Sequence, residues 1–293
     1  MDITPGTIVA GTDGSPSADA AVRWASVRAA AEQRSLTLLM ALRPATPTWI
    51  DPGTLDLVAA HEQSLRTRAE NALTWAHDDI SLSFPDLQVH EVFCLADPRQ
   101  ALVQASRTAD LVVVGSRGHG HLQSLVLGST SVAVIRHSEC PVVVHRPTPA
   151  APARRGVAVG ADATRDSLTV LDFAYREADR RRLPLTVVHS LTHEELAQPA
   201  TTDRRAATAE DQQVGLAESL ASMSEKYPGV EVHTLVEDRM PERCLLDLAE
   251  SMDLLVVGVH HQSRGAQFMF GSASVWLVEH ADCPVAVVPV GAR

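Results

Sequence analysis

The sequence contains one pattern twice, 143 residues apart, and this repeat constrains the fold more than any other feature. Each copy contains three segments in the same order and at the same spacing. They are an apolar run ending in glycine, a Gly-Ser-x-Ser-Val segment and a Cys-Pro-Val segment. The paired segments are 110–115 with 253–258, 128–132 with 271–275, and 140–142 with 283–285. Matches of this length at a constant offset predict a tandem duplication.

The chain length agrees with two copies, because 293 residues give room for about two domains of ordinary size. A stretch rich in proline and alanine separates the copies, and such a composition predicts a semi-rigid, extended linker. We therefore predict domains at 1–146 and 156–293, joined by a linker at 147–155.

Each copy alternates short apolar runs with longer segments whose apolar residues recur at helical spacing. Leu111–Val114, for example, is an unbroken apolar run, typical of a strand covered on both faces of a parallel sheet. Residues 194–208 fit less well and predict a polar loop or a frayed helix. The alternation predicts an α/β fold, with two tandem doubly wound domains that each have a five-stranded parallel sheet and helices on both faces.

One loop of the first copy carries the pattern of an anion site. The spacing Gly-x2-Gly-x9-Gly-Ser puts Gly115 and Gly118 after a strand, and Gly128 and Ser129 at the start of a helix. Glycine lets the backbone approach a ligand, and the first N–H groups of a helix have no internal partner. The pattern therefore fits a phosphate. Taken singly, the same residues also fit ordinary turns and an ordinary serine cap.

Charge and missing motifs exclude several classes of function. The net charge, 25 − 36 = −11, argues against binding along a nucleic-acid backbone. No apolar run approaches the ~20 residues of a membrane span, and the N-terminus lacks the pattern of a signal peptide. The glycine loops match neither a Walker P-loop nor a Rossmann fingerprint. The four scattered cysteines suggest buried thiols in a reducing cytoplasm.

The glycine spacing resembles the nucleotide motif of the universal stress protein family, in its ATP-binding branch, and the resemblance covers both copies. It implies an adenine nucleotide alpha-hydrolase-like fold, ATP as the ligand with Mg²⁺ as a candidate companion ion, and homodimers formed partly through the last strand. The positions that match the family's nucleotide site in the first copy are Asp13, Ala41, Gly115, Gly118, Gly128, Ser129 and Ser131. Those in the second copy are Asp162, Gly258, Gly271, Ser272 and Ser274.

The second copy departs from the pattern at His261, which stands where the first copy has Gly118. If the position needs a positive φ or a bare backbone near phosphate, the histidine causes strain and blocks the ligand. In the alternative, the imidazole itself contacts the phosphate. We expect a weakened second site.

The sequence offers no convincing catalytic set, so at most weak ATP hydrolysis is expected. Arg117, His119 and His121 in the glycine loop either contact phosphate or lie in solvent, and the histidines lack the further ligands of a zinc site. The favoured hypothesis is a cytoplasmic, ATP-binding regulatory module in the stress response, with an unknown protein partner. The alternatives are a slow ATP hydrolase or phosphotransferase, and a dimeric scaffold with vestigial nucleotide sites.

Overall fold

The structure is a computed structural model that describes residues 1–44, 55–118, 127–146, 156–162, 164, 166–190, 202–260 and 270–291. The chain divides into two compact units, Met1–Pro147 and Thr148–Arg293, which are called unit 1 and unit 2 below. The linker predicted at 147–155 lies outside the described residues. No helix in the described part of the chain is long and apolar enough to cross a membrane.

Unit 1 alternates strands and helices along the chain, as predicted. Its strands are β1 (Ile8–Gly11), β2 (Leu36–Leu42), β3 (Val89–Leu95), β4 (Leu111–Gly115) and β5 (Val142–His145). Its helices are α1 (Pro16–Glu32), α2 (Leu55–Ser83), α3 (Pro98–Ala105) and α4 (Ser129–His137). The strands pair in parallel in the order β3-β2-β1-β4-β5, so the order reverses between β1 and β4.

Helices cover both faces of this sheet. Helices α1 and α2 pack on one face, and α3 and α4 pack together on the other. The central strands are consequently buried throughout, and the runs Ile8–Gly11 and Leu111–Gly115 expose almost nothing. This explains why their sequences are apolar at every position rather than at alternate positions.

Local signals in the sequence set the helix starts of unit 1. The Ser15 hydroxyl accepts a hydrogen bond from the backbone N–H of Ala18, and Pro16 occupies the first turn of α1. Asp97 caps α3 in the same way, again with a proline in the first turn. Each helix therefore begins close to the carboxyl end of the strand before it.

Unit 2 repeats the arrangement. Its strands are β6 (Val157–Gly160), β7 (Leu185–Ser190), β8 (Val232–Glu237), β9 (Leu254–His260) and β10 (Val285–Val290). Its helices are α5 (Ser167–Arg181), α6 (Thr202–Lys226), α7 (Pro241–Ala249) and α8 (Phe270–His280). The parallel strands pair in the order β8-β7-β6-β9-β10. The predicted fold class is therefore confirmed.

One expectation for unit 2 was wrong in part. The segment 194–208 was predicted to be a polar loop or a frayed helix. Residues 194–201 lie outside the described residues, but 202–208 belong to helix α6, which runs from Thr202 to Lys226. The polar residues of its first turns give no apolar periodicity from which the helix could be predicted. Later in the helix Leu216 is buried, and Tyr227, just beyond its end, stacks on Tyr175 of α5.

Candidate functional site

A pocket of about 410 Å³ opens at the carboxyl edge of the sheet in unit 1. It lies beyond the ends of β1, β2 and β4, where the strand order reverses, which is the usual ligand position in an open α/β sheet. Its lining includes all seven positions predicted in the first copy: Asp13, Ala41, Gly115, Gly118, Gly128, Ser129 and Ser131. Residues far apart in sequence thus converge on one pocket of a size suited to small ligands.

Asp13 is held in a tight turn at the end of β1. Its Oδ1 accepts a hydrogen bond from the backbone N–H of Ser15 at 3.0 Å, and Gly14 provides the left-handed backbone of the turn, with φ +78°. A Cβ placed on Gly118 would lie only 2.5 Å from Asp13 Oδ2. Glycine at 118 therefore gives the Asp13 carboxylate its room. The backbone of Gly118 itself is not left-handed.

Gly115 has a different role, which is close packing. A Cβ there would lie 2.7 Å from Ser17 Oγ and 2.8 Å from the Ser17 carbonyl oxygen in α1. The same Ser17 hydroxyl accepts a hydrogen bond from the backbone N–H of Arg117 at 3.3 Å. Helix α1 thus fixes the point at which the chain leaves β4 and enters the glycine loop.

The start of α4 faces the pocket without a side-chain cap. Gly128 is the N-cap residue, with φ −61° and ψ 142°, and it has no side chain to accept a hydrogen bond from the first turn. Ser129 is exposed, and Ser129 and Thr130 both line the pocket. An uncapped helix start that lines a pocket can receive an anion through its N–H groups and its dipole.

The third glycine is not required by the fold. A Cβ on Gly128 would meet its nearest neighbour, the Ser116 carbonyl oxygen, at 3.6 Å, which is an ordinary contact. Its φ is one that any residue can adopt. Among the described residues, nothing therefore requires glycine at this position.

Ser131, besides lining the pocket, connects α4 to the sheet. Its hydroxyl is buried and donates a hydrogen bond to the Gly115 carbonyl at 2.8 Å. Ser274 of unit 2 makes the matching bond to the Gly258 carbonyl at 3.1 Å. In both units this serine ties the helix to the strand that precedes it.

The opposite end of the pocket is apolar, and sequence reasoning missed most of it. Its wall includes Leu39 and Ala41 of β2, together with Pro98 and Leu102 of α3. Leu39 could have been found from the two-residue alternation with Ala41 along one face of a strand. The α3 residues carry no such signal. Arg117 also lines the pocket, whereas His119 and His121 lie outside the described residues.

The corresponding aspartate of unit 2 is held by its own turn. Asp162 Oδ1 accepts hydrogen bonds from the backbone N–H and hydroxyl of Thr164 and from the hydroxyl of Ser167. A ligand at Asp162 would have to compete with these internal donors.

The strand and helix that frame the site also differ in unit 2. Strand β9 continues to His260, two residues beyond Gly258, and pairs with β10 along that extension, whereas β4 ends at Gly115. Helix α8 begins at Phe270, so Gly271 and Ser272 lie inside its first turn. The strand end and the helix start of unit 1 are therefore not reproduced residue for residue in unit 2. His261 lies outside the described residues.

Within the described part of the chain, no three His, Cys, Asp or Glu side chains lie close enough together to hold a metal ion. The described lining of the pocket combines the Asp13 carboxylate, Arg117, an apolar wall and the backbone N–H groups at the start of α4. These groups can bind and orient a ligand that has an apolar part and an anionic part.

Comparison with known proteins agrees with the duplication. The model of the Universal stress protein family matches residues 5–146 and again residues 154–289. A universal stress protein of Mycolicibacterium smegmatis is 32% identical over 287 residues, covering 96% of each chain. One of Mycobacterium tuberculosis is also 32% identical, covering 96% of this chain and 95% of its own.

A solved structure shows the same fold. The crystal structure of a universal stress protein from Archaeoglobus fulgidus covers 97% of this chain and 98% of its own, with a TM-score of 0.64 and 19% identity. The family match spans both copies, and close relatives align over nearly the whole length. The chain therefore belongs to the universal stress protein family and carries two of its domains in tandem.

Proposed function

We propose that unit 1 binds ATP and that the protein acts as a nucleotide-dependent regulatory module of the stress response. One observation carries the proposal: the seven residues that match the family's nucleotide motif converge on a single pocket with an uncapped helix start. The family resemblance supplies ATP as the ligand. The pocket supplies an apolar wall and an anion-binding end, which suit a base and a polyphosphate.

The proposed orientation follows from the chemistry of the two ends. The adenine ring lies against Ala41 and Leu39, with the Asp13 carboxylate at the end of β1 available to its polar edge or to the ribose. The phosphates lie at Gly128 and Ser129, where backbone N–H groups and the positive end of the helix dipole stabilise negative charge. Mg²⁺ would enter with the phosphates.

Unit 2 is proposed to bind nucleotide more weakly. The Asp162 carboxylate already accepts three internal hydrogen bonds, and β9 runs two residues beyond the point at which β4 turns away. A nucleotide at this edge of unit 2 would compete with these internal donors, and the longer strand would take up space beside it. We therefore expect about one ATP per chain at moderate concentrations.

The test is titration calorimetry with ATP and Mg²⁺ on the intact chain. Gly118→Glu should abolish binding to unit 1, because its side chain displaces the Asp13 carboxylate and places a negative charge beside the phosphates. Gly118→Ala should weaken binding less than Gly118→Glu, because the methyl group displaces the flexible Asp13 carboxylate without adding charge. Gly229→Ala is the matched control, since its Cβ meets nothing closer than 3.7 Å. Unchanged affinity in Gly118→Glu, with the fold intact by circular dichroism, would refute the site.

The protein partner, the cytoplasmic location and the expectation of at most weak ATP hydrolysis remain predictions from the sequence. A regulatory module of this kind acts through a protein partner that recognises its nucleotide-bound state. Affinity capture with the ATP-saturated wild type and with Gly118→Glu, compared side by side, would identify proteins whose binding depends on the occupied pocket.

A further inference from the structure

Two separate elements form the apolar end of the pocket in unit 1. Strand β2 contributes Leu39 and Ala41, and helix α3 contributes Pro98 and Leu102. The fit of a flat base at this end depends on how far apart these two elements stand. An ion pair between residues that flank the two walls connects them.

This ion pair joins Arg43 and Asp97. The Arg43 Nη2 donates a hydrogen bond to Asp97 Oδ2 at 2.7 Å. Arg43 lies two residues beyond Ala41, and Asp97 directly precedes Pro98. The bond therefore fixes the end of one wall relative to the start of the other.

The backbone ladder of the sheet ends just before this point. Leu42 and Leu95 are the last pair in the register of β2 and β3, so the ladder does not hold the chain beyond Leu42. The side-chain bond from Arg43 to Asp97 continues the connection past the end of the sheet. It does so at the edge where the pocket opens.

The Asp97 carboxylate is already held in place by another partner. It caps α3 by accepting a hydrogen bond from the Arg99 backbone N–H at 3.0 Å, and the Arg99 side chain donates to both of its oxygens. Only 16% of the Asp97 side chain is exposed, against 64% for Arg43. Exposed ion pairs are weak partly because two flexible side chains must be ordered. Here one of the two is fixed, so less entropy is lost on pairing.

Unit 2 connects the same two elements through a different position. In each unit the first N–H beyond the opening strand donates to a carbonyl of the next strand, that of Leu39 in unit 1 and that of Val188 in unit 2. These two residues correspond, so Ser190 stands where unit 1 has Ala41. The Ser190 hydroxyl donates to the Arg239 carbonyl at 2.5 Å, just before α7.

The connection in unit 2 thus uses the position that lines the pocket in unit 1. Met240, which precedes the first proline of α7 as Asp97 precedes that of α3, makes no side-chain cap. In unit 1 the connection lies two residues further out, at Arg43, and leaves the Ala41 position to the pocket. The ion pair is therefore found in the unit whose strand end remains open to a ligand.

We propose that Arg43 and Asp97 are positioning residues, which fix the spacing of the two apolar walls around the base of the nucleotide. The inference rests on the proposed function, since it concerns how unit 1 holds the base of ATP. The two side chains flank the described lining of the pocket without belonging to it. They act through Ala41 and Pro98 and not by touching the nucleotide.

Two rival explanations need to be separated from this one. An exposed ion pair can be without consequence, and an exposed arginine can attract phosphates from a distance. A positioning role concerns the base and ribose end, which ATP and AMP share. Attraction between charges grows with the number of phosphates, so it favours ATP over AMP.

Titration calorimetry of the intact chain with ATP and with AMP, in one buffer that contains Mg²⁺, makes this distinction. Arg43→Ala should weaken the binding of both nucleotides by the same factor, about fivefold, as expected for loss of one charged hydrogen bond with a fixed partner. The melting temperature should hardly change, because the Arg43 side chain is mostly exposed. Arg43→Lys should restore most of the affinity, since an ammonium group can still pair with Asp97.

Arg107→Ala is the matched control. It also removes an exposed arginine from an ion pair in unit 1, that with Glu139 at 3.0 Å, but neither of these residues flanks the apolar end of the pocket. Both affinities should stay at the wild-type value. A loss equal to that of Arg43→Ala would show that overall charge is the cause, and would overturn the proposal.

A double-variant cycle tests whether Arg43 acts through Asp97. Asp97→Asn keeps an oxygen that can cap α3 and removes the charge that Arg43 pairs with. Adding Arg43→Ala to this variant should change either affinity by less than about twofold, because the two residues act as one unit. Independent losses that multiply would overturn the proposal.

The wild type separates failure of this inference from failure of the proposed function. A wild type that binds no ATP would refute both. A wild type that binds ATP no better than Arg43→Ala, or a loss in Arg43→Ala that is larger for ATP than for AMP, would overturn the positioning role alone.

Discussion

Glycine occupies the three positions of the loop motif for three different physical reasons. Gly115 allows α1 to contact β4, because a Cβ would collide with Ser17. Gly118 leaves room for the Asp13 carboxylate, and Gly128 has room for a side chain that it does not carry. Only Gly128 lacks an internal explanation, so it is the residue whose identity most directly indicates a ligand.

The two serines at the start of α4 should separate binding from stability. Ser131→Ala should lower the free energy of unfolding by about 1–2 kcal/mol, because it removes a buried hydrogen bond to the Gly115 carbonyl. Ser129→Ala should leave stability nearly unchanged and weaken ATP binding, since Ser129 is exposed and lines the pocket. Denaturant unfolding and calorimetry on both variants check this.

Ser274→Ala is the control for that comparison, because it removes the matching bond in unit 2 and should reduce stability without affecting binding to unit 1. The prediction fails if Ser129→Ala and Ser131→Ala change stability equally.

Sequence reasoning identified residues that line the pocket but not the contacts among them. The spacing identified Gly115, Gly118 and Gly128 because backbone turns and helix starts are local features. The bond from Ser131 to the Gly115 carbonyl and the contact between Gly118 and Asp13 depend on how strands and helices are brought together. Leu102 was missed for the same reason.

At the scale of elements, the start of α3 is held by a cluster of charges. The side-chain hydrogen bond from Arg99, assisted by Arg43, holds the pKa of the Asp97 carboxyl well below its ordinary value. The pKa of Asp97 in the folded state lies below its unfolded-state pKa, which is near 4, so the ionised carboxyl stabilises the fold at pH values above about 4. This stabilisation is lost as the pH falls from about 4 towards the folded-state pKa. Helix α3 carries Pro98 and Leu102 into the pocket wall, so this cap also supports the site.

Asp97→Asn should therefore lower the melting temperature at pH 7, and the difference from the wild type should shrink as the pH falls from 5 towards 3. Differential scanning calorimetry across this range measures it. Glu139→Gln, at an exposed pair with Arg107, should have little effect at any pH. A difference for Asp97→Asn that persists unchanged at pH 3 would show that charge is not the cause.

The two units differ in the length of the strand that leads into the candidate site. The sequence predicted β4 and β9 as equivalent runs ending in glycine, yet β9 continues to His260 because Val259 and His260 pair with Pro289 and Val290. Such an extension depends on pairing with a neighbouring strand, which lies far away in sequence. Strand existence was predictable from the apolar runs, whereas strand length was not.

At the scale of the whole molecule, the duplication fixed the architecture and left each unit free to diverge. The repeat and the alternation of runs were sufficient to predict two doubly wound units. Divergence is visible in an ion pair within the first helix of each unit, which is Arg28–Glu32 in unit 1 and Glu177–Arg181 in unit 2. The charges have exchanged places, so the interaction is kept while its residues changed.

The central claim, one working ATP site per chain, is tested most directly by identifying the nucleotide carried by the freshly purified protein. The chain is denatured, and the released nucleotide is separated by chromatography, identified by mass and counted per mole of protein. The account predicts about one ATP per chain in the wild type and none in Gly118→Glu. No nucleotide in the wild type, followed by no binding of added ATP with Mg²⁺, would contradict it.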